Sequence, residues 1–306
     1  MGIKNLNKYL LKNCQTSIKN MHLSRLKNKT IAIDTSIYLY NFERNGDLIG
    51  GINCMINTFK HYKIIPLFIF DGKPPEEKKY ILQERKKEKE KKQEQIDELL
   101  KLIEKYESDD CINDEQQKQK EKIMSNVEKI KKQIINITYN KIQEVKNIIL
   151  SHNFSIYEAP KEADELCAML VYKKYAWACM SEDMDMFVYG CPKIIKGFSN
   201  FKSSVKIYNI YHILHELNIS LHNFKQICIL SGTDYNCQQN NYNLSKVLSL
   251  YNQYKEKEQE QKINVTKYNF IEWVYNYIDD SLDIELLDKI YEMFNLNNSK
   301  KICTFH

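Results

Sequence analysis

The chain has 306 residues, 43% of them hydrophobic and 28% charged, with 45 Lys and Arg against 40 Asp and Glu for a net charge of +5. That length and apolar content suit one large domain or two smaller ones with a sizeable core, and they exclude a disordered or fibrous chain. No stretch approaches the roughly 18 apolar residues of a membrane span and the amino terminus lacks a signal-peptide core, so an intracellular protein without membrane contact is expected.

In chain order, a short amphipathic helix is predicted around residues 3–11, followed by a strand at 31–33 that leads into Asp34. Gly2 invites a myristoylation reading, but Leu6 stands where that motif needs Ser or Thr. A mixed helical stretch covers 36–62, and a buried strand at 64–70 ends at Asp71. From 76 to about 141 Lys, Glu and Gln dominate, Pro and Gly are absent, and apolar residues are sparse. Such a helical excursion is far longer than an ordinary strand connection, so it is either a functional lid or a disordered insert.

The core pattern resumes with a helix near 142–150, a strand at 154–157, and a helix after Pro160 with Ala163, Leu166, Met169 and Leu170 on one face. Strands are predicted at 176–180 and 194–195, then helices at 210–217 and 221–230. The polar run 254–262 reads as a loop or exposed helix end before a last amphipathic region at 270–294. Alternating strands and helices indicate an α/β fold with a mostly parallel, twisted sheet covered by helices on both faces. The nine cysteines form no CxxC pair, as expected of reduced structural thiols.

Seven carboxylates lie at or just past the ends of apolar runs: Asp34, Asp71, Glu162, Asp164, Asp183, Asp185 and Asp234. An open parallel sheet carries its sites at the carboxyl ends of its strands, where such residues would gather. Two carboxylates about 4 Å apart repel by roughly 4 kcal/mol at an effective dielectric near 20, so the cluster must bind protons or divalent cations. All-oxygen ligation favours Mg²⁺ or Mn²⁺ over zinc. Glu162 and Asp164 converge only if Glu162 lies at the helix start, because two helical residues that far apart point about 200° away from each other. First-turn acids complementing a helix dipole would explain that pair equally well taken alone.

Six motifs then resemble, in family order, the flap endonuclease and XPG (Rad2) family of structure-specific 5′ nucleases. They are MGIK at 1–4, IAIDT at 31–35, FIFDGKPP at 68–75, APKEAD at 159–164, SEDMD at 181–185 and ILSGTDY at 229–235. The resemblance implies a PIN-like nuclease core, a helical arch inserted at 76–141, and a carboxyl-terminal helical DNA-binding region. Core segments would run 1–75 and 142–235, with 236–306 carrying the duplex-binding element. It implies that the seven acids hold two Mg²⁺ ions, with Mn²⁺ able to substitute, and that Lys78 and Arg85 act catalytically beneath the arch. Seven residues apart, those two would share one helix face, although a charge run on its own is more often a solvated surface. Tyr40 matches a base-stacking aromatic, Gly2 a residue packed near the site once Met1 is removed, and Lys246 a phosphate contact in the DNA-binding set.

Two departures from the family pattern stand out. The duplex-binding hairpin is glycine-rich in the family, whereas residues 240–246 read NNYNLSK; Asn tolerates left-handed backbone, but close phosphate approach and potassium binding are put in doubt. The carboxyl terminus lacks the motif by which cellular flap endonucleases engage the sliding clamp, so clamp recruitment is not expected. The compact length fits a divergent or viral member. The resemblance implies a Mg²⁺-dependent 5′ flap endonuclease with 5′ to 3′ exonuclease activity on branched or flapped DNA, acting in replication and repair as a monomer. It would work in the nucleus of a cell or at the site of viral DNA replication. An exonuclease-1-like enzyme, a catalytically silent nucleic-acid-binding protein and a ribonuclease remain alternatives.

Overall fold

A computed structural model of the chain describes residues 2–107, 114–236, 242–260 and 268–296. The first third runs α1 (Leu6–Asn13), β1 (Ile18–His22), β2 (Thr30–Asp34), α2 (Thr35–Arg44), α3 (Leu48–Tyr62) and β3 (Ile65–Phe70). A helix pair follows, α4 (Lys79–Glu107) and α5 (Asp114–Lys131). The sheet is completed by α6 (Tyr139–Ser151), β4 (Ser155–Glu158), α7 (Ala163–Tyr172), β5 (Ala178–Met180), α8 (Asp185–Val188), β6 (Lys193–Lys196) and β7 (Ser204–Asn209). Five more helices close the fold: α9 (Ile210–Leu217), α10 (Leu221–Leu230), α11 (Leu244–Gln259), α12 (Phe270–Tyr277) and α13 (Ile284–Met293).

The strands form one seven-stranded sheet in the order β1-β7-β6-β5-β2-β3-β4. β6, β5, β2, β3 and β4 are mutually parallel, while β7 is antiparallel to β6 and β1 to β7. Side chains alternate between the faces. Ile31 and Ile33 of β2, Phe68 and Phe70 of β3, and Ala178 and Met180 of β5 pack into one core cluster with α2, α3 and α6. Ala32, Ile69 and Cys179 point the other way, into a second cluster shared with α1 and the helices from α7 onward. Small residues at Ala32 and Cys179 leave room for α7, which presents its own Ala163, Cys167 and Ala168. Each fully buried Ile or Phe stabilises the fold by about 1.5–3 kcal/mol, so register is firmly set in the central strands.

The antiparallel strands β1 and β7 are absent from the sequence-based reading. Their polar residues, Lys19, Asn20 and Lys206 among them, break up the apolar signal of an edge pair. Of the two readings of the run 254–262, the described residues take the exposed helix end: α11 continues to Gln259, because Tyr251 and Tyr254 pack against Phe270 and Trp273 while the intervening polar residues face water. Within the described residues the charged excursion is helical over α4 and α5, and its few apolar residues form a seam between them in which Ile96, Ile103 and Val127 are buried. Among the described residues, no helix is long and apolar enough to cross a membrane.

Candidate active site

The parallel register puts Asp34 at the end of β2 and Asp71 one residue past β3, with Ser181 directly after β5. Asp34 is buried, and Ser181 donates from Oγ to its Oδ2 at 2.7 Å. The same hydroxyl accepts from the Asp183 amide at 3.0 Å, and Asp183 Oδ1 accepts from the Asp185 amide at 3.0 Å. This chain of local bonds turns the backbone after β5 so that both buried aspartates face inward. Glu182 is directed elsewhere, accepting from the Gly197 amide at 2.6 Å.

Glu162 is the extended residue preceding α7 (φ −87°, ψ 146°), and Asp164 lies in its first turn. The geometric condition for their convergence is therefore met. Asp71 occupies the amino end of α7, accepting from the Ala163 amide at 2.8 Å. Gly72 makes this approach feasible: its amide donates to the Lys161 carbonyl at 2.6 Å, and a Cβ there would overlap the Ala159 carbonyl oxygen. Gly2 closes the opposite side. It has φ 72°, and a Cβ would collide with Asp185 Oδ1 and lie 2.7 Å from Asp183 Oδ1.

Two cations enter from the helix pair. Lys78, in the turn before α4, is buried and donates to Glu162 Oε1 at 2.6 Å, with Asp234 Oδ2 at 3.9 Å. Arg85 donates to the same Asp234 Oδ2 at 2.7 Å and keeps a side-chain exposure of 38%. Burial opposes the charge on Lys78, but Glu162, Asp185 and Asp164 outweigh it and hold its pKa above the usual lysine value. Tyr235 donates to Glu162 Oε2 at 2.6 Å, and its ring lies 5.2 Å from the Lys78 ammonium. Neither Ser181 nor Tyr235 emerges from the sequence as a site residue, although each adjoins a motif acid.

The remaining candidates lie further out. Tyr40 on α2 is 43% exposed. Lys246 is exposed in the first turn of α11, its ammonium 4.2 Å from the Tyr242 ring centre. Asn243 is extended, and its side chain caps α11 by accepting from the Lys246 amide. Residues 240 and 241 of the expected hairpin, Met1, and the clamp-motif region at 300–306 lie outside the described residues.

The acids make an electrostatically costly centre. Burial foremost, then the charge of Asp71, pushes Asp34 up to about 7 despite the Ser181 hydrogen bond. Burial and neighbouring aspartates also raise Asp164 and Asp185 well above ordinary carboxylates. Asp164 Oδ1 and Asp185 Oδ1 are buried without a hydrogen-bond donor. Among the described residues no three side chains close on a single point as a ready-formed ligand set. The acids instead act on one another across the whole centre: Asp34 feels Asp71, Asp183 and Asp164, Asp185 feels Asp183, Asp234 and Glu162, and Glu162 and Asp234 meet the two cations. Orphaned buried oxygens in an all-carboxylate donor set fit a hard divalent cation.

Acids at the carboxyl ends of a parallel sheet, met by cations from an inserted helix pair, define a nuclease-like α/β centre, and comparison with known proteins places it. Residues 1–94 match the XPG N-terminal domain and residues 153–234 the XPG I-region. The chain is 30% identical over 255 residues to flap endonuclease 1 of Entamoeba dispar, and 29% over 254 residues to that of Glycine max, covering 77% of this chain in each case. It spans 62% of the length of these relatives. The fold resembles the catalytic core of Rad2 in complex with DNA substrate (TM-score 0.60, 19% identity, 96% of this chain and 85% of that one). It also resembles flap endonuclease-1 from Methanococcus jannaschii (TM-score 0.53, 20% identity, 90% and 96%). The chain belongs to the flap endonuclease and XPG family.

Proposed function

We propose that this chain is a Mg²⁺-dependent, structure-specific nuclease that hydrolyses phosphodiester bonds in branched or 5′-flapped DNA. The observation that carries the reading is the convergence of Lys78 and Arg85 on Asp234 and Glu162 within the acid cluster. Asp34, Asp71, Asp164, Asp183, Asp185, Glu162 and Asp234 would hold two divalent ions. When bound, such ions lower the pKa of a water and stabilise charge on the scissile phosphate and leaving oxygen.

The chain's own contribution is placement and charge. Lys78 and Arg85 can exchange a carboxylate partner for a phosphate oxygen, and Arg85 presents a planar fork suited to that anion. Tyr235 and Ser181 fix the orientation of Glu162 and Asp34, so the acids are pre-set. Under this reading α4 and α5 form an arch that admits a single-stranded end, with residues 76–141 as the insertion, 1–75 and 142–235 as the core, and 236–306 gripping duplex. Tyr40 would stack on a base beside the cut, while Gly2 keeps its side of the cluster clear.

The test is cleavage of a 5′-labelled double-flap DNA, a nicked duplex and a matched RNA flap, each with Mg²⁺ or with chelator. Mg²⁺-dependent cutting near the flap junction is expected. Shortening of the nicked duplex reports exonuclease action, and absence of cutting on every substrate overturns the reading.

A further inference from the structure

The acids occupy one end of the parallel sheet, and the opposite end has the reverse character. Five adjacent parallel strands, β6, β5, β2, β3 and β4, begin there. The segments that lead into those five strands, residues 23–33, 59–70, 151–157, 171–181 and 190–197, contain no Asp or Glu; Glu216 of α9, which accepts from Thr16 and Ser17, lies beyond β6 at the β7–β1 edge. Each strand start instead places a base or cation in a row. Lys193 opens β6, Lys29 precedes β2, Lys63 precedes β3, Lys173 and Lys174 precede β5, and His152 precedes β4. At about 4.8 Å between strands, the row crosses four spacings, or roughly 19 Å.

Backbone bonds hold the row together. The Trp177 amide donates to the Thr30 carbonyl at 2.7 Å, the Asn28 amide to the Lys63 carbonyl at 2.8 Å, and the Ile65 amide to the Lys29 carbonyl at 3.0 Å. Trp177 is flanked by two ammonium groups, Lys193 at 3.9 Å and Lys29 at 5.9 Å from its ring centre. Burial, together with the charge of Lys29, pulls the Lys193 pKa down, as expected of cations crowded without a counter-ion. Helix carboxyl termini attract cations, which would account for Lys173 and Lys174 at the end of α7. It does not account for Lys29 and Lys193, which lie at strand starts. Among the described residues no ion pair involves Lys29, Lys63, Lys174 or Lys193.

We propose that this basic row is a second nucleic-acid contact surface, remote from the acid cluster, that takes a single-stranded segment. The aromatic residues select the occupant. Tyr172 and Tyr175 are 48% and 57% exposed beside the lysines, and cations interleaved with exposed rings suit unpaired bases, which offer stacking faces as well as phosphates. A duplex would offer phosphates alone. An anionic lipid surface would call for an amphipathic helix with a projecting apolar face, and this end carries strand starts and turns. The surface goes beyond the nuclease reading: it would let the protein hold one strand while its acid end engages another.

The test is fluorescence anisotropy of a labelled oligothymidine in chelator, where no cleavage interferes, across a series of salt concentrations. In the full chain, Lys29→Glu/Lys174→Glu/Lys193→Glu should weaken binding about tenfold or more and reduce the log–log salt slope by roughly two units, at about 0.7 per phosphate contact. Because Lys193 is half-buried, the milder Lys63→Glu/Lys174→Glu pair, checked for a parent-like melting temperature, should reduce the slope by roughly one. Tyr172→Ala should weaken binding of the single strand with the slope unchanged. Unchanged affinity in both charge variants, or an equal loss for a blunt duplex, overturns the proposal. Cleavage of a short flap by the milder variant should stay at the parent rate; a parent that cuts nothing would defeat the nuclease reading while leaving this binding measurement intact.

Discussion

Asp164 and Asp185 each bury a carboxylate oxygen with no donor, an arrangement that costs stability unless a cation is present. Under the proposed function, metal binding and folding would therefore pull in opposite directions at these residues. Asp183→Asn or Asp185→Asn should lower Mg²⁺-dependent cleavage by roughly two orders of magnitude or more, since an ion contributes several kcal/mol to the transition state. DNA affinity should change only a few-fold. In chelator, Asp185→Asn should melt above the parent by a few degrees, at about 2–4 °C per kcal/mol of relieved repulsion. Near-normal turnover in both variants at saturating Mg²⁺ would remove these residues from the metal set. Arg85→Ala should depress the single-turnover rate more than it weakens DNA binding, because under the proposed function Arg85 would meet phosphate chiefly in the reactive position. Much of this site was legible as carboxylates following apolar runs. The orienting groups were not: Ser181 and Tyr235 act through contacts across the fold, with Asp34 147 positions away and Glu162 73 positions away, which no local pattern encodes.

Among the elements, the helix pair α4 and α5 is the one whose physical basis differs most from the rest. Its surfaces are charged and its cohesion rests on a thin seam in which Ile96, Ile103 and Val127 are buried. Lys78 and Arg85 tie its base to the core through Glu162 and Asp234. Ile96→Ala should cost about 2–5 kcal/mol locally and loosen the pair, read as faster amide exchange in α4 with the central strands unaffected. Replacing residues 94–129 with a short Gly/Ser linker should leave the core folded but reduce flap cleavage strongly, since a lid completes its site only when ordered on substrate. Flap cutting at the parent rate would make the pair a dispensable insert. The central strands could be read directly because they are continuous apolar runs buried on both faces. β1 and β7 could not, since an antiparallel edge ribbon needs only a few inward residues. The end of α11 stayed open between loop and exposed helix end for a related reason: only Tyr254, pressed against Trp273, marks that polar turn as helical.

For the molecule as a whole, one sheet separates two electrostatic ends. The acid end holds seven carboxylates against Lys78 and Arg85, and this local excess of negative charge would repel DNA unless divalent cations and surrounding lysines offset it. With a net charge of only +5, affinity must come from where the cations lie rather than from their total. Under the proposed function the carboxyl-terminal helices would supply one such place. Asn243 fixes the start of α11 and leaves Lys246 exposed beside the Tyr242 ring, free of any ion pair among the described residues. If that ammonium neutralises one duplex phosphate, binding of a flapped duplex in Ca²⁺ or chelator should show a salt slope that falls by about one unit in Lys246→Ala, with equal weakening across sequences. Catalytic turnover of bound substrate should not change, because the contact lies outside the acid cluster. A slope that matches the parent's would place Lys246 away from the duplex and assign the grip to other cations of the carboxyl-terminal helices.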